Sequence, residues 1–271
     1  MGRIIILITL IIGLFGCSPI NKILKSTDYE YKLKKANELF TKKKYSQAVL
    51  VYEDIFPVLK GTAPFEDLYW NYALSHYNLR DYLNAENLFK GFIENFPNSP
   101  KSVDAAFYRA FSYYKESPKP DLDQTPSIKA INAFQTFIMR NPGSTKNKEA
   151  TDIIDELRGK LEEKERRAAE LYYNLGFFKA SATAYSQLMF NFPDSDKGEN
   201  YKLMEIKSYY DYAKKSIFEK QIERYEKVLD ECADFRDRFP ESTFIEDVVK
   251  FKNQSENKIK SIKNEQIKTS G

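Results

Sequence analysis

Asp67-Leu-Tyr-Trp-Asn-Tyr-Ala-Leu-Ser-His-Tyr77 and Asp104-Ala-Ala-Phe-Tyr-Arg-Ala-Phe-Ser-Tyr-Tyr114 carry one pattern twice, at a constant offset of 37 residues. The stretches just upstream repeat at the same offset of 37: Tyr45-x2-Ala48-x3-Tyr52 becomes Tyr82-x2-Ala85-x3-Phe89. Further copies follow as Ser127-x2-Ala130-x3-Phe134 and Phe178-x2-Ser181-x3-Tyr185, with Tyr225-x2-Val228-x3-Cys232 as a weaker fifth. Four copies close alike, on Phe96-Pro97-Asn98-Ser99, Asn141-Pro142-Gly143-Ser144, Phe192-Pro193-Asp194-Ser195 and Phe239-Pro240-Glu241-Ser242. A fixed period of this length is the mark of a repeat architecture.

The spacing predicts two antiparallel helices per unit. Ala36, Ala73, Ala110 and Ala169 are small residues at one position of each first helix, which lets a second helix approach closely. Ala48 or Ala85, twelve residues on, meets them across the crossing. The aromatic four residues later lies one turn further along that face. The proline cannot continue a helix and ends the unit; Asn98-Ser99 and Asp194-Ser195 then offer caps to the next one. This is the tetratricopeptide pattern, so the fold class expected is all-α, a tetratricopeptide-repeat superhelix of about five helix-turn-helix repeats.

The predicted organisation is a signal segment over 1–16, a tether over 17–27, repeats one and two over 28–99, and a third repeat over 100–145. An insertion, residues 116–126, interrupts that third repeat, and its three prolines predict an extended loop. Repeat four spans 146–195 and repeat five 196–241, followed by a Lys-rich helix and tail over 242–271 read as a terminal cap. Within repeat four, Ile153, Ile154, Leu157 and Leu161 form an apolar helical stripe, which predicts one long or double helix from Lys146 towards Leu175.

Composition excludes several classes of function. The 271 residues hold 42 Lys and Arg against 39 Asp and Glu, too even a balance for a nucleic-acid surface. Ten glycines leave little for a phosphate-cradling loop, and one histidine makes a His-based metal site or a Ser-His-Asp triad improbable. No GxxxxGK[ST], GxGxxG, GxSxG, HExxH or CxxC motif occurs. His76 aligns with Tyr113, a packing position, and the acidic residues between Asp152 and Glu163 alternate with Lys and Arg as on a solvated helix face. The sequence therefore predicts a protein that is not an enzyme, with no cofactor and no metal.

At the N-terminus Arg3 precedes an apolar run from Ile4 to Leu14. Eleven helical residues span about 17 Å against about 30 Å of hydrocarbon, so the run reads as a secretory signal and not a membrane crossing. It ends in Leu14-Phe15-Gly16-Cys17, which resembles the lipobox of bacterial lipoproteins, although Phe15 stands where a small residue is usual. That resemblance makes Cys17 the lipidated first residue of the mature chain; the alternative is ordinary cleavage leaving a free thiol. Ser18, in place of Asp, points to the outer membrane. The remaining Cys232 lies on an apolar helical face and reads as packing.

Lipobox, five irregular repeats and the insertion in the third together resemble the BamD family, the lipoproteins of the outer-membrane β-barrel assembly machinery. The closest stretch runs from Asp104-Ala-Ala-Phe-Tyr-Arg through Asp121-Leu-Asp123-Gln124 and Ala130-x2-Ala133-Phe134 to Ala150-Thr151-Asp152, and continues from Lys160 to Tyr173. The resemblance implies a non-enzymatic adaptor on the periplasmic face of the outer membrane, anchored there by its N-terminal lipid. It implies that repeats four and five contact the barrel-forming subunit, and that repeats one to three receive unfolded outer-membrane proteins. The first helices of such arrays line a groove, here through Leu33, Asn37 and Phe40, then Trp70, Asn71, Leu74 and Tyr77, then Phe107, Tyr108 and Phe111. That lining suits an extended peptide ending in an aromatic residue; the alternative for each ring is packing between repeats. Two rival readings are another periplasmic tetratricopeptide lipoprotein that scaffolds cell-envelope or peptidoglycan partners, and a glycan-binding lipoprotein of helical-repeat type.

Overall fold

The structure is a computed structural model that describes residues 19–269. The signal segment and Cys17, assigned to lipidation, lie outside the described residues. Among those described there are twelve helices and no strand: α1 Pro19–Leu24, α2 Tyr29–Thr41, α3 Tyr45–Leu59, α4 Phe65–Asn78, α5 Tyr82–Asn95, α6 Ser102–Glu116, α7 Thr125–Arg140, α8 Asn147–Asn174, α9 Phe178–Asn191, α10 Gly198–Lys214, α11 Phe218–Arg238 and α12 Ile245–Thr269. None is long and apolar enough to cross a membrane. From α1 to α7 and from α9 to α12, each helix packs on the next in sequence, the arrangement of the tetratricopeptide fold.

Two compact units divide at Leu157, within α8. In the first, Ala36, Ala48, Ala73, Ala85, Ala105, Ala110 and Ala130 are fully enclosed, and Tyr52, Phe89, Phe92 and Phe134 fill the space around them. The missing side-chain volume at the crossings is what admits the large rings beside them. Ser75 and Ser112, equally buried, return their hydroxyl protons to the carbonyls of Asn71 and Tyr108 one turn back, so neither hydroxyl is stranded.

Three of the turns inside repeats share one geometry. Lys43 NH reaches Phe40 O and Lys44 NH reaches Leu39 O; Arg80 with Asp81, and Gly176 with Phe177, repeat this pair of bonds. This is the doubly bonded helix end that needs one left-handed residue, and Lys43 (φ 57°), Arg80 (φ 62°) and Gly176 (φ 79°) supply it.

The turns between repeats differ from the caps expected at Ser99 and Ser195. Ser99 Oγ accepts from Lys101 NH and donates to Glu66 at 2.7 Å; Ser195 does the same with Lys197 NH and Glu162 (2.6 Å), and Ser242 with Phe244 NH and Glu199 (2.6 Å). The serine folds the turn two residues ahead of the helix cap and ties it back to a glutamate on the first helix of its own repeat. It does not cap the following helix, because the N-cap positions fall two residues on, at Lys101 and Lys197.

In the second unit Ala169, Tyr185, Leu188 and Tyr201 form one cluster, Ile206, Val228, Cys232, Phe235 and Val248 a second, and Ala213, Tyr225 and Ile262 a third that seats α12 on α10 and α11. Burial pushes the Cys232 thiol up to about 12, consistent with a packing role. Lys202 is buried among Glu205 (3.0 Å), Glu231 and Asp234 (2.6 Å). Burial alone would lower its pKa, yet its hydrogen bonds to Asp234 and Glu231 outweigh that and raise it.

Candidate peptide-binding face

The first helix of the first repeat, α2, presents Leu33 and Asn37 to an open recess bordered by Glu30, Lys34 and Thr41. Asn37 is held in place: its Oδ1 accepts from Tyr52 OH at 2.7 Å and from Asn71 Nδ2 at 3.3 Å. Two of the positions read from sequence therefore join repeat one to repeat two directly. Phe40 meets Tyr45 edge-on at 5.7 Å, and Leu74 is half-buried against the first unit's core.

The aromatic positions of α4 and α6 form a chain of rings. Trp70 lies 6.1 Å from Tyr108, Tyr108 lies 5.1 Å from Tyr77, and Tyr77 lies 6.3 Å from Phe111. Tyr108 also stacks on Phe89 at 5.4 Å with 17° between planes, and Trp70 contacts Phe89 and Phe92. Offset and edge-to-face pairs each add about 0.5–1.5 kcal/mol beyond area burial. So these rings close the junction between repeats two and three, and they also leave part of each ring accessible. Packing between repeats therefore holds for these rings, and part of each stays exposed.

Nine of the ten predicted positions are half-buried: Leu33, Asn37, Phe40, Trp70, Asn71, Leu74, Tyr77, Tyr108 and Phe111. Phe107 departs from the expectation. It is 5% exposed and packs on Phe134 and Phe137 at 5.6 and 5.5 Å. One residue is a 100° step around a helix, and that step carries Phe107 from the open face of Tyr108 onto α7.

Lysines missed in the sequence reading stand over this face. Lys146 Nζ lies 5.3 Å from the Tyr108 ring and 4.9 Å from the Phe107 ring while pairing with Asp104 at 2.8 Å. Lys115 lies 4.7 Å from the Phe111 ring. A signal for Lys146 was present: a lysine follows the turn serine by two residues at Lys101, Lys146 and Lys197. Each pairs with an acid near the start of a repeat's first helix or within α8: Lys101 with Asp67, Lys146 with Asp104, Lys197 with Glu162. Burial, followed by the neighbouring Tyr82 and Tyr108, pushes the Tyr77 hydroxyl up to about 12, so that hydroxyl stays neutral through the physiological range. No group of His, Cys, Asp or Glu among the described residues is arranged to hold a metal ion. Chemically the arrangement offers partly exposed rings, two asparagines held in place at the first junction, and lysines over the rings of α6.

The profile of the family YfiO, described as "Outer membrane lipoprotein", matches residues 29–221. A curated relative from Aquifex aeolicus (strain VF5), named for the outer membrane protein assembly factor BamD, is 24% identical over 200 residues. That match covers 72% of this chain and 65% of the relative, so the chain spans less than two thirds of the relative's length. Among solved structures, the TPR2AB-domain:pHSP90-complex of yeast Sti1 superposes with a TM-score of 0.41 at 12% identity, over 84% of this chain and 98% of that one. That likeness is too slight to build on. The repeats, the insertion within the third of them and a profile match over most of the described residues agree: this chain belongs to the YfiO family of outer membrane lipoproteins, the BamD type.

Proposed function

We propose that the chain is a lipid-anchored, non-enzymatic adaptor of the BAM complex, facing the periplasm and serving the insertion of β-barrel proteins into the outer membrane. Family membership gives the setting, and the observation that carries the adaptor role is the half-open chain of rings Trp70, Tyr108, Tyr77 and Phe111. Repeats one to three receive the unfolded barrel protein, whose aromatic chain end lies against Tyr77 and Tyr108. Lys146 sits close enough to Tyr108 to meet the terminal carboxylate. Repeats four and five hold the barrel-forming subunit, and Cys17 carries the lipid.

The test is a titration of the full-length protein with a peptide ending in an aromatic residue. A buried aromatic anchor contributes about 1–2 kcal/mol, so Trp70→Ala with Tyr108→Ala weakens binding at least about tenfold. Both residues also pack on Phe89, so a melt of the double variant accompanies the titration. Unaltered affinity in a folded double variant contradicts the reading, as does equal affinity for a peptide ending in a charged residue.

A further inference from the structure

α6 has two working faces. The rings at Tyr108 and Phe111 lie on one, while Ser102, Ala106, Arg109 and Tyr113 recur at intervals of three and four and form a stripe on the opposite side. This second stripe floors a cleft of about 590 Å³, walled by the end of α5 and by a matching stripe of α7 that runs from Lys129 to Arg140. The cleft lining contains three cations, Arg109, Lys129 and Arg140, and no carboxylate, although the whole chain is nearly balanced at 42 cations to 39 anions. Arg109 is partly engaged, donating its Nε to the buried Glu86 at 2.8 Å. Lys129 lies over the Tyr113 ring. Neither Lys129 nor Arg140 has an ion-pair partner among the described residues. Between the cations lie Ala106, Ala133 and Val103 as apolar floor and wall, with Asn98 and Asn132 within the lining as backbone-pairing amides.

We propose that this cleft is a second recognition site, distinct from the aromatic face, for an extended acidic segment of a partner protein. The geometry favours a chain segment over a compact anion. Lys129 and Arg140 are eleven residues apart on one side of α7, about 17 Å, too far for one phosphate to bridge. An extended strand rises about 3.3 Å per residue and turns alternate side chains the same way, so carboxylates four or six residues apart span about 13–20 Å on one side. Such a strand sets an acid against each end cation, lays apolar side chains on Ala106 and Ala133, and offers its backbone to Asn98 and Asn132.

The experiment uses the full-length protein and a capped peptide of about eight residues with glutamates at its second and sixth positions and apolar residues between. Lys129→Glu with Arg140→Glu, both exposed and unpaired, weakens binding about tenfold or more. The same variant gains affinity for the peptide with lysines in place of the two glutamates. Placing the glutamates side by side also weakens binding to the unaltered protein. Equal binding of all three peptides, or no effect of the double reversal, overturns the proposal. So does binding to phosphatidylglycerol vesicles through Lys129 and Arg140 without binding to the peptide. Peptides with aromatic ends, titrated in parallel, report on the other face of α6 and separate the two sites.

Discussion

Gly91 sits inside α5, where an alanine would ordinarily favour the helix by about 0.5–1 kcal/mol. Here an added methyl would overlap the Tyr69 hydroxyl, and that ring is wedged among Phe56, Phe65 and Phe92. Overpacking of this kind costs about 1–3 kcal/mol, so Gly91→Ala is expected to destabilise by about 1–2 kcal/mol in a urea melt; a gain in stability would show that Tyr69 swings aside freely. At this scale the sequence was legible wherever a small side chain recurred at a fixed interval. Ala36, Ala73, Ala110 and Ala169 are all fully enclosed, because a helix crossing tolerates no larger group and so leaves a periodic trace. Phe107 was not legible, since two aromatic neighbours on a broad apolar face give no sign of which one turns inward. Lys202 escaped for another reason: acids and bases at helical spacing read as a solvated face, and only the fold shows three carboxylates converging on one buried ammonium.

Among the elements, the insertion of the third repeat is more ordered than its three prolines suggested. Gln124, buried at the foot of α7, donates its Nε2 to Lys119 O at 2.7 Å and Leu122 O at 3.2 Å, and its Oε1 accepts from Ser127 Oγ at 2.7 Å. One side chain thus gathers the loop onto the second helix of the repeat. Gln124→Ala strands these groups, with a cost of about 1–3 kcal/mol, and should speed proteolytic nicking within 117–124 before global unfolding; an unchanged nicking rate would mean the prolines alone hold the loop. The long helix α8 was legible from its apolar stripe, whereas its outer lattice was not. Hydrogen bonds from Arg166 and Arg167 hold the Glu163 carboxyl down to about 2, from an ordinary value of 4.5. A depressed carboxylate stabilises the fold fully above its unfolded value and ceases to as pH falls through the folded one. Surface pairs of this spacing contribute about 0.2–0.5 kcal/mol each, so Glu163→Gln should cost at most about 1 kcal/mol at pH 7. The gap between the two melting curves should narrow from pH 4.5 towards pH 2, and a gap that widened with acid would contradict the pairing.

For the whole molecule, repeats and family were legible because five copies of one pattern and an ordered insertion are hard to mistake. What binds where was not, since a half-buried ring at a repeat junction leaves the same trace in the sequence whether it only packs or also binds. If Cys17 carries the lipid, Cys17→Ala should leave the detergent phase and collect as soluble protein or uncleaved precursor; unchanged partitioning would refute the anchor. The central claim, an adaptor in barrel assembly, is tested most directly by purifying the full-length, lipidated chain from detergent-extracted outer membranes and identifying what accompanies it in stoichiometric amount. The account predicts an outer-membrane β-barrel protein bearing a soluble periplasmic domain. Recovery of cell-wall or division proteins in its place, with no barrel protein, would contradict it.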